Sequence, residues 1–196
     1  MDISREAEAL IPTEWGSFNM IAYKSDVSDY SPDIAMICDG TDVKSTVNVR
    51  IHSECLTGDL FHSQRCDCGD QLHSSLEYIS KHKGVLIYLR QEGRGIGIIN
   101  KIKAYNKQDE GLDTVEANVA LGLEVDSRVY DKAIAILQNL NITTINLLTN
   151  NPDKLGAFEN GPVKLINRIP LEIEANANNR GYLKTKKHSL GHILNL

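Results

Sequence analysis

Three of the chain's four cysteines fall within fourteen residues, as Cys55, Cys66 and Cys68 in the spacing C-x10-C-x-C. Thiolates at that density are soft ligands suited to zinc, and the backbone must fold so that the sulfurs meet at one point. A C-x-C pair is tighter than the C-x2-C knuckle of zinc fingers, and no second pair follows to complete a four-cysteine site. The simplest reading is an open three-thiolate site with one position left for water, the arrangement of catalytic zinc. On these residues alone a closed site with His52 or His62 as fourth ligand, or a set of reduced thiols without metal, stays open.

The surrounding chain reads as alternating strands and helices. Segments 18–23, 34–38 and 46–51 are apolar and bounded by Ser, Asp, Pro and Gly, which predicts strands, with Asp39-Gly40 as a hairpin signal. The third of these would deliver the cysteine loop from an antiparallel sheet, after a short polar lead at the N-terminus. Leu72, Leu76 and Ile79 recur at helical spacing, Gly84 closes that helix, and Val85 to Leu89 reads as a strand.

Arg90-Gln91-Glu92-Gly93-Arg94-Gly95-Ile96-Gly97 follows, and then a helix with Ile98, Ile99, Ile102 and Tyr105 on one side. Strand, glycine-rich loop, helix is an arrangement that brings backbone N–H groups to phosphate oxygens. The spacing is neither Walker A nor G-x-G-x-x-G. The two arginines add planar forks suited to phosphate. A short capped helix runs from Thr114 to Gly122, a helix buries Ala133, Ile134, Leu137 and Leu140, and 144–148 is a strand whose polar exit, Thr149 to Lys154, turns into another helix. In open α/β sheets ligands bind beyond the carboxyl ends of strands, so the loops at 90–97 and 149–154 are candidates to face one ligand. Strands at 163–166 and 169–173 precede a basic tail, which reads as a solvated terminal helix from about Tyr182. The fold class is α/β: a mixed sheet with flanking helices and an N-terminal antiparallel β section.

The length, 196 residues, allows one sizeable core or two intimately packed lobes. A net charge of −5 argues against nucleic acid as a partner, while Arg50, Arg65, Arg90, Arg94 and Arg128 in or beside loops point to a local positive pocket for a small anion. There is no N-terminal apolar signal and no run near 18 apolar residues, so no membrane association is expected, and crowded thiols fit a reducing, cytoplasmic setting. Cys38 ends a buried-looking strand and is expected to be a small core residue.

Taken in order, Arg50-Ile51-His52-Ser53-Glu54-Cys55-Leu56-Thr57-Gly58-Asp59, Arg65-Cys66-Asp67-Cys68-Gly69, Arg90 to Gly97, Asp113 to Asn118, the pair Asp126 and Arg128, and Leu148 to Pro152 with Lys154 make the chain resemble the GTP cyclohydrolase II family over nearly its whole length. The resemblance implies a single GTP cyclohydrolase II domain over 1–196, typically homodimeric. Its activity would be zinc-dependent opening of the imidazole ring of GTP with release of formate and pyrophosphate, at the head of riboflavin biosynthesis. By motif, Cys55, Cys66 and Cys68 would hold one Zn2+. Arg50, Ile51, His52, Ser53, Glu54, Gln71, Glu92, Gly93, Arg94, Thr114, Thr149 and Lys154 would hold GTP, with Mg2+ on the triphosphate. Asp126 would be proton acceptor and Arg128 nucleophile at the α-phosphate, although a guanidinium with pKa above about 12 also suits charge stabilisation on the transferring phosphate. Tyr105 would orient the second water.

No dihydroxybutanone phosphate synthase half is recognised, so one activity is expected. Two other readings compete. His52-Ser53-Glu54 matches the H-x-E of zinc nucleobase deaminases, but their P-C-x-x-C is missing. A nucleotide-sensing module with structural zinc would bind GTP without turnover.

Overall fold

The computed structural model describes residues 3–24 and 31–195. Seven strands form one mixed sheet in the order β1-β2-β3-β5-β4-β6-β7: β1 Ser4–Thr13, β2 Gly16–Lys24, β3 Asp33–Cys38, β4 Val47–Ser53, β5 Gly84–Leu89, β6 Thr144–Leu148 and β7 Lys164–Ile169. The pairs β1/β2, β2/β3 and β3/β5 are antiparallel, whereas β4/β6 and β6/β7 are parallel. The helices are α1 Leu56–Asp59, α2 Cys68–His82, α3 Gly97–Asp109, α4 Thr114–Ala120, α5 Asp131–Asn139, α6 Pro152–Gly156 and α7 Arg180–His188. Among the described residues no helix is long and apolar enough to cross a membrane.

The chain divides into two compact units, each stitched from three segments. The first is Met1–His52, Leu72–Arg90 and Val129–Leu171; the second is Ser53–Gln71, Gln91–Arg128 and Glu172–Leu196. The first unit holds essentially the whole sheet. Its core gathers Ile21, Ala35, Val49, Ile51, Ile87 and Leu147 from the strands with Ala133, Ile136 and Leu137 of α5. A smaller cluster packs Leu76 and Ile79 of α2 on Phe18, Leu86 and Cys38. Cys38 is thus the small core residue its strand position suggested, and its thiol is free. In the second unit α3 packs on α4, and α4 on α7.

Several expectations need correction. Ser4–Thr13 is a strand, not a polar lead. It is the exposed edge of the sheet, so it carries no buried face and no apolar alternation to betray it. Asp39-Gly40 is a turn but not a hairpin, because β5 lies between β3 and β4. The cysteine loop therefore leaves the fourth strand, in the parallel half of the sheet. The C-terminal strand is continuous from Lys164 to Ile169, and Pro170, lacking an N–H to donate, ends it.

Gly84 is not the helix terminator either. Lys83 takes the left-handed turn at φ 59°, and Gly84 opens β5 where a Cβ would stand 2.2 Å from the Asn48 carbonyl oxygen. Gly84→Ala is therefore expected to force β4 and β5 apart and to cost about 1–3 kcal/mol, read as a lower denaturant midpoint at unchanged slope.

Candidate functional site

Cys55 caps α1, Cys66 sits in the turn before α2, and Cys68 is the first residue of α2, all in the second unit. Their sulfurs lie within 4.8 Å of one another, with Cys55 and Cys66 3.7 Å apart. A tetrahedral ion with metal–sulfur bonds of about 2.3 Å needs sulfurs about 3.8 Å apart, so the spacing fits. Two glycines make this closeness possible. A Cβ on Gly58 would meet the Cys66 sulfur at 2.9 Å and the Cys55 sulfur at 3.1 Å, and one on Gly69 would meet the Gly58 carbonyl oxygen at 2.4 Å. Among the described residues the grouped ligand atoms are these three sulfurs, with no histidine or carboxylate joining them within 4.8 Å. His52 instead stacks on Tyr88 in the first unit, ring centres 5.4 Å apart. A cleft of about 280 Å3, with Gly58, His62, Ser63 and Asp70 in its walls, reaches Cys66.

Proton bookkeeping points the same way. Hydrogen bonding from Cys66 and Cys68, together with the Lys101 charge, holds the Cys55 thiol far below the ordinary thiol range. The bond to Cys55 in turn pushes Cys66 up to about 11, and bonds to Cys55 and Cys66 push Cys68 well up. A divalent cation at the three sulfurs would hold all three thiols deprotonated.

Lys101 is the functional group that sequence reading missed. From α3 its ammonium donates to the Cys55 sulfur at 3.0 Å and to Glu92 at 2.8 Å, and its side chain is 12% exposed. Burial is the largest single influence and disfavours its charge, but Cys55, Tyr105 and Glu92 together outweigh it and the charge is kept. The signal available was its position one helical turn before Tyr105 on the same face. Tyr105 lies beneath the Arg65 guanidinium, 5.0 Å from the ring centre, and its hydroxyl bonds Thr57, whose own hydroxyl is 3.7 Å from the Cys55 sulfur. Of the rest of the expected apolar face of α3, Ile98 is half-buried, but Ile99 is 72% and Ile102 45% exposed.

The glycine-rich loop is a single turn of 3-10 helix, Glu92–Gly95, with Gly93 and Arg94 both in the left-handed region at φ 63° and 61°. A non-glycine residue held there stores strain, a frequent mark of a binding loop. Two bonds to the Arg94 carbonyl oxygen pin the loop: the Ser127 N–H donates at 3.0 Å and the Ser127 hydroxyl at 3.1 Å. Both terminal nitrogens of Arg94 are buried and find no hydrogen-bond partner among the described residues. Glu92 also accepts from the Leu56 N–H, tying the loop to α1, and Gln91 donates to the Ser53 hydroxyl at 2.9 Å. Beside Ser127, Arg128 clamps Asp126 through Nε, 2.9 and 3.2 Å from the two carboxylate oxygens, and through Nη2. Burial works to raise the Asp126 carboxyl, but the Arg128 hydrogen bonds and charge hold it below the usual carboxylate range.

Gln71 donates to Asp67 at 2.6 Å, and Thr114 opens α4 behind the capping box of Asp113 and Glu116. Glu54 lies on the link between β4 and α1. In the first unit, Arg50, Ile51 and His52 form the buried end of β4. Lys154 donates to the Ile51 carbonyl at 2.7 Å and Arg50 to that of Leu148 at 3.0 Å, while Thr149 accepts from the Asn151 N–H. These five residues therefore gather at the carboxyl ends of the parallel pair β4/β6.

His192, near the C-terminus, reports on the second unit. Burial, with the charges of Lys186, Arg128 and Arg94, pushes its imidazole from 6.5 down to about 4. The unfolded chain then binds more protons across that interval, so stability should fall as pH drops from about 6.5 toward 4. His192→Gln is expected to flatten that part of a melting-temperature profile, and an unchanged slope would remove His192 as its cause.

The family model of GTP cyclohydrolase II matches residues 4–170. The chain belongs to the GTP cyclohydrolase II family. It is 48% identical over 192 residues to the riboflavin biosynthesis protein RibBA of Staphylococcus saprophyticus, covering 98% of this chain and 48% of that protein. RibBA of Bacillus cereus is 47% identical over 195 residues, 99% of this chain and 49% of that one. The chain spans about half the length of the curated relatives it matches. A solved two-domain 3,4-dihydroxy-2-butanone 4-phosphate synthase, RibBX from A. baumannii, aligns with TM-score 0.46 and 16% identity over 85% of this chain and 40% of that one, too loose a likeness to bear on fold or function. Every residue named above as a GTP cyclohydrolase II site residue falls within 4–170, whereas α7 lies beyond the matched region.

Proposed function

We propose that this chain hydrolyses GTP at two places, opening the imidazole ring with loss of formate and releasing pyrophosphate. The product is 2,5-diamino-6-hydroxy-4-(5-phosphoribosylamino)pyrimidine, and the step stands at the head of riboflavin biosynthesis, the pathway named for the RibBA relatives. The observation that carries this reading is the trio of cysteine sulfurs within 4.8 Å, with no fourth protein ligand among the described residues. Cys55, Cys66 and Cys68 would hold one zinc ion, which would supply a Lewis acid able to activate water at neutral pH.

Arg50, Ile51, His52, Ser53, Glu54, Gln71, Glu92, Gly93, Arg94, Thr114, Thr149 and Lys154 bind the nucleotide, with Mg2+ on its triphosphate. The buried, unsatisfied fork of Arg94 suits a phosphate, because leaving such donors without an acceptor is costly. Glu54 or His52 positions the base or moves a proton near the ring carbon between the imidazole nitrogens. Tyr105 orients the second water, which frees formate from the formamide. At the α-phosphate Asp126 accepts the proton of the attacking group, and Arg128 stabilises charge on the transferring phosphoryl group. The two-point ion pair with Asp126 supports that role over nucleophilic attack, since it engages the guanidinium as a cation. We further take the protein to be a cytoplasmic homodimer acting as one domain.

The test is product analysis with GTP and Mg2+, with and without a zinc chelator. Formate and the pyrimidine chromophore together, both lost on chelation, are expected. GTP binding without formate from zinc-loaded protein would reject the reading in favour of a nucleotide sensor. Formamidopyrimidine alone would place the chain with relatives that stop after ring opening.

A further inference from the structure

We propose that Lys186 of α7 is a positioning residue of the metal loop, acting through Asp67 on the peptide that joins two of the three sulfur ligands. The proposal rests on the zinc reading above, and every group it uses lies in the second unit.

The tail that looked like a solvated helix is not one. Lys186 and Leu183 turn inward, with the Lys186 side chain 9% exposed, and its ammonium donates to Asp67 Oδ1 at 2.6 Å. Asp67 stands between Cys66 and Cys68 and is 2% exposed. Its other carboxylate oxygen accepts from the Gln71 amide at 2.6 Å, and its carbonyl oxygen accepts from the Gln71 N–H at 3.0 Å. All three acceptor atoms of the residue between the ligands are therefore occupied, two from the start of α2 and one from α7. Tyr182, one turn earlier on α7, receives the Lys186 ammonium 4.6 Å and the Arg94 guanidinium 5.9 Å from its ring centre.

A buried ion pair adds little net stability against an apolar replacement of the same shape, yet removing one member strands the other charge. What the Lys186–Asp67 pair supplies is direction: with Asp67 fixed, the Cys66–Cys68 turn has one conformation and the Gln71 amide one aim. Partners outside the ligand shell commonly change metal affinity by about 10–100-fold when lost. α7 would thus be part of the site although it lies outside the span matched by the family model.

The experiment follows zinc release from the full-length, zinc-loaded protein into an excess of chromophoric chelator, without nucleotide. Lys186→Met should speed release about 10–100-fold. Lys186→Arg should restore most of the wild-type rate, and Lys184→Met, on the exposed face of the same helix, should leave it unchanged. Asp67→Asn keeps the shape but removes the charge and should also speed release. The double variant Asp67→Asn/Lys186→Met should be no faster than the faster single. Independent, multiplying effects would overturn the proposal, as would an unaltered rate in Lys186→Met. Should Lys186→Met fail to fold, Asp67→Asn alone decides, and wild-type release from it sinks the idea. A wild-type chain that binds no zinc would remove the functional reading as well, whereas zinc-loaded wild type with an indifferent Lys186→Met removes only this one.

Discussion

Cys66→Ser protein is expected to release formate from GTP at less than about one-thousandth of the wild-type rate, since losing the metal forfeits several kcal/mol of barrier lowering and each 1.36 kcal/mol is about tenfold. Serine has the shape of cysteine but not its acidity, so it cannot supply the third thiolate, and the remaining pair, Cys55 and Cys68, would be left with an incomplete ligand set. The 3.7 Å spacing of Cys55 and Cys66 makes this a loss of ligand geometry as well as of charge. Metal analysis should find the variant short of zinc. Pyrophosphate release tests whether the two chemistries are separate: Asp126 and Arg128 are untouched by the substitution, so some release should persist. Formate release at the wild-type rate from zinc-depleted Cys66→Ser would overturn the assignment of the metal to ring opening.

The second large effect is expected at Arg128. Arg128→Ala should slow pyrophosphate release by about 10³–10⁵, the range over which a single arginine stabilises a phosphoryl transition state. Arg128→Lys should recover part of this, because an ammonium restores the charge but not the fork that grips Asp126. A nucleophilic Arg128 makes a different prediction. The wild-type protein quenched during turnover would then carry a nucleotidyl adduct on that side chain, and mass spectrometry finding it would displace the charge-stabilising role.

Much of this arrangement is legible in the sequence, and the reasons differ from place to place. β2, β3, β4, β5 and β6 announced themselves because burial leaves apolar runs between turn residues. β1 did not, because an exposed edge strand needs no apolar face. The expected stripe on α3 had the right period and the wrong consequence, since Ile99 and Ile102 face solvent while Lys101 takes the buried position. The cysteines and the loop at 90–97 were readable because soft ligands and an arginine set among glycines are uncommon in such density, whereas Asp126 and Arg128 were singled out through the family resemblance. Lys101 and Lys186 were not, because a lysine on a helix usually lies in water. Their partners, Cys55 and Asp67, are 46 and 119 positions away, and only tertiary structure pairs them.

The threefold interleaving of the two units has a consequence for how such a protein can be moved about. No cut at one peptide bond releases either unit whole, so no single contiguous stretch of the chain carries one unit by itself. Gene fusion would have to carry the block intact, and the twice-longer RibBA proteins do align with it over 98–99% of its length. Each unit also has to bring together segments separated by tens of residues, which makes its assembly slow relative to a chain built from neighbours.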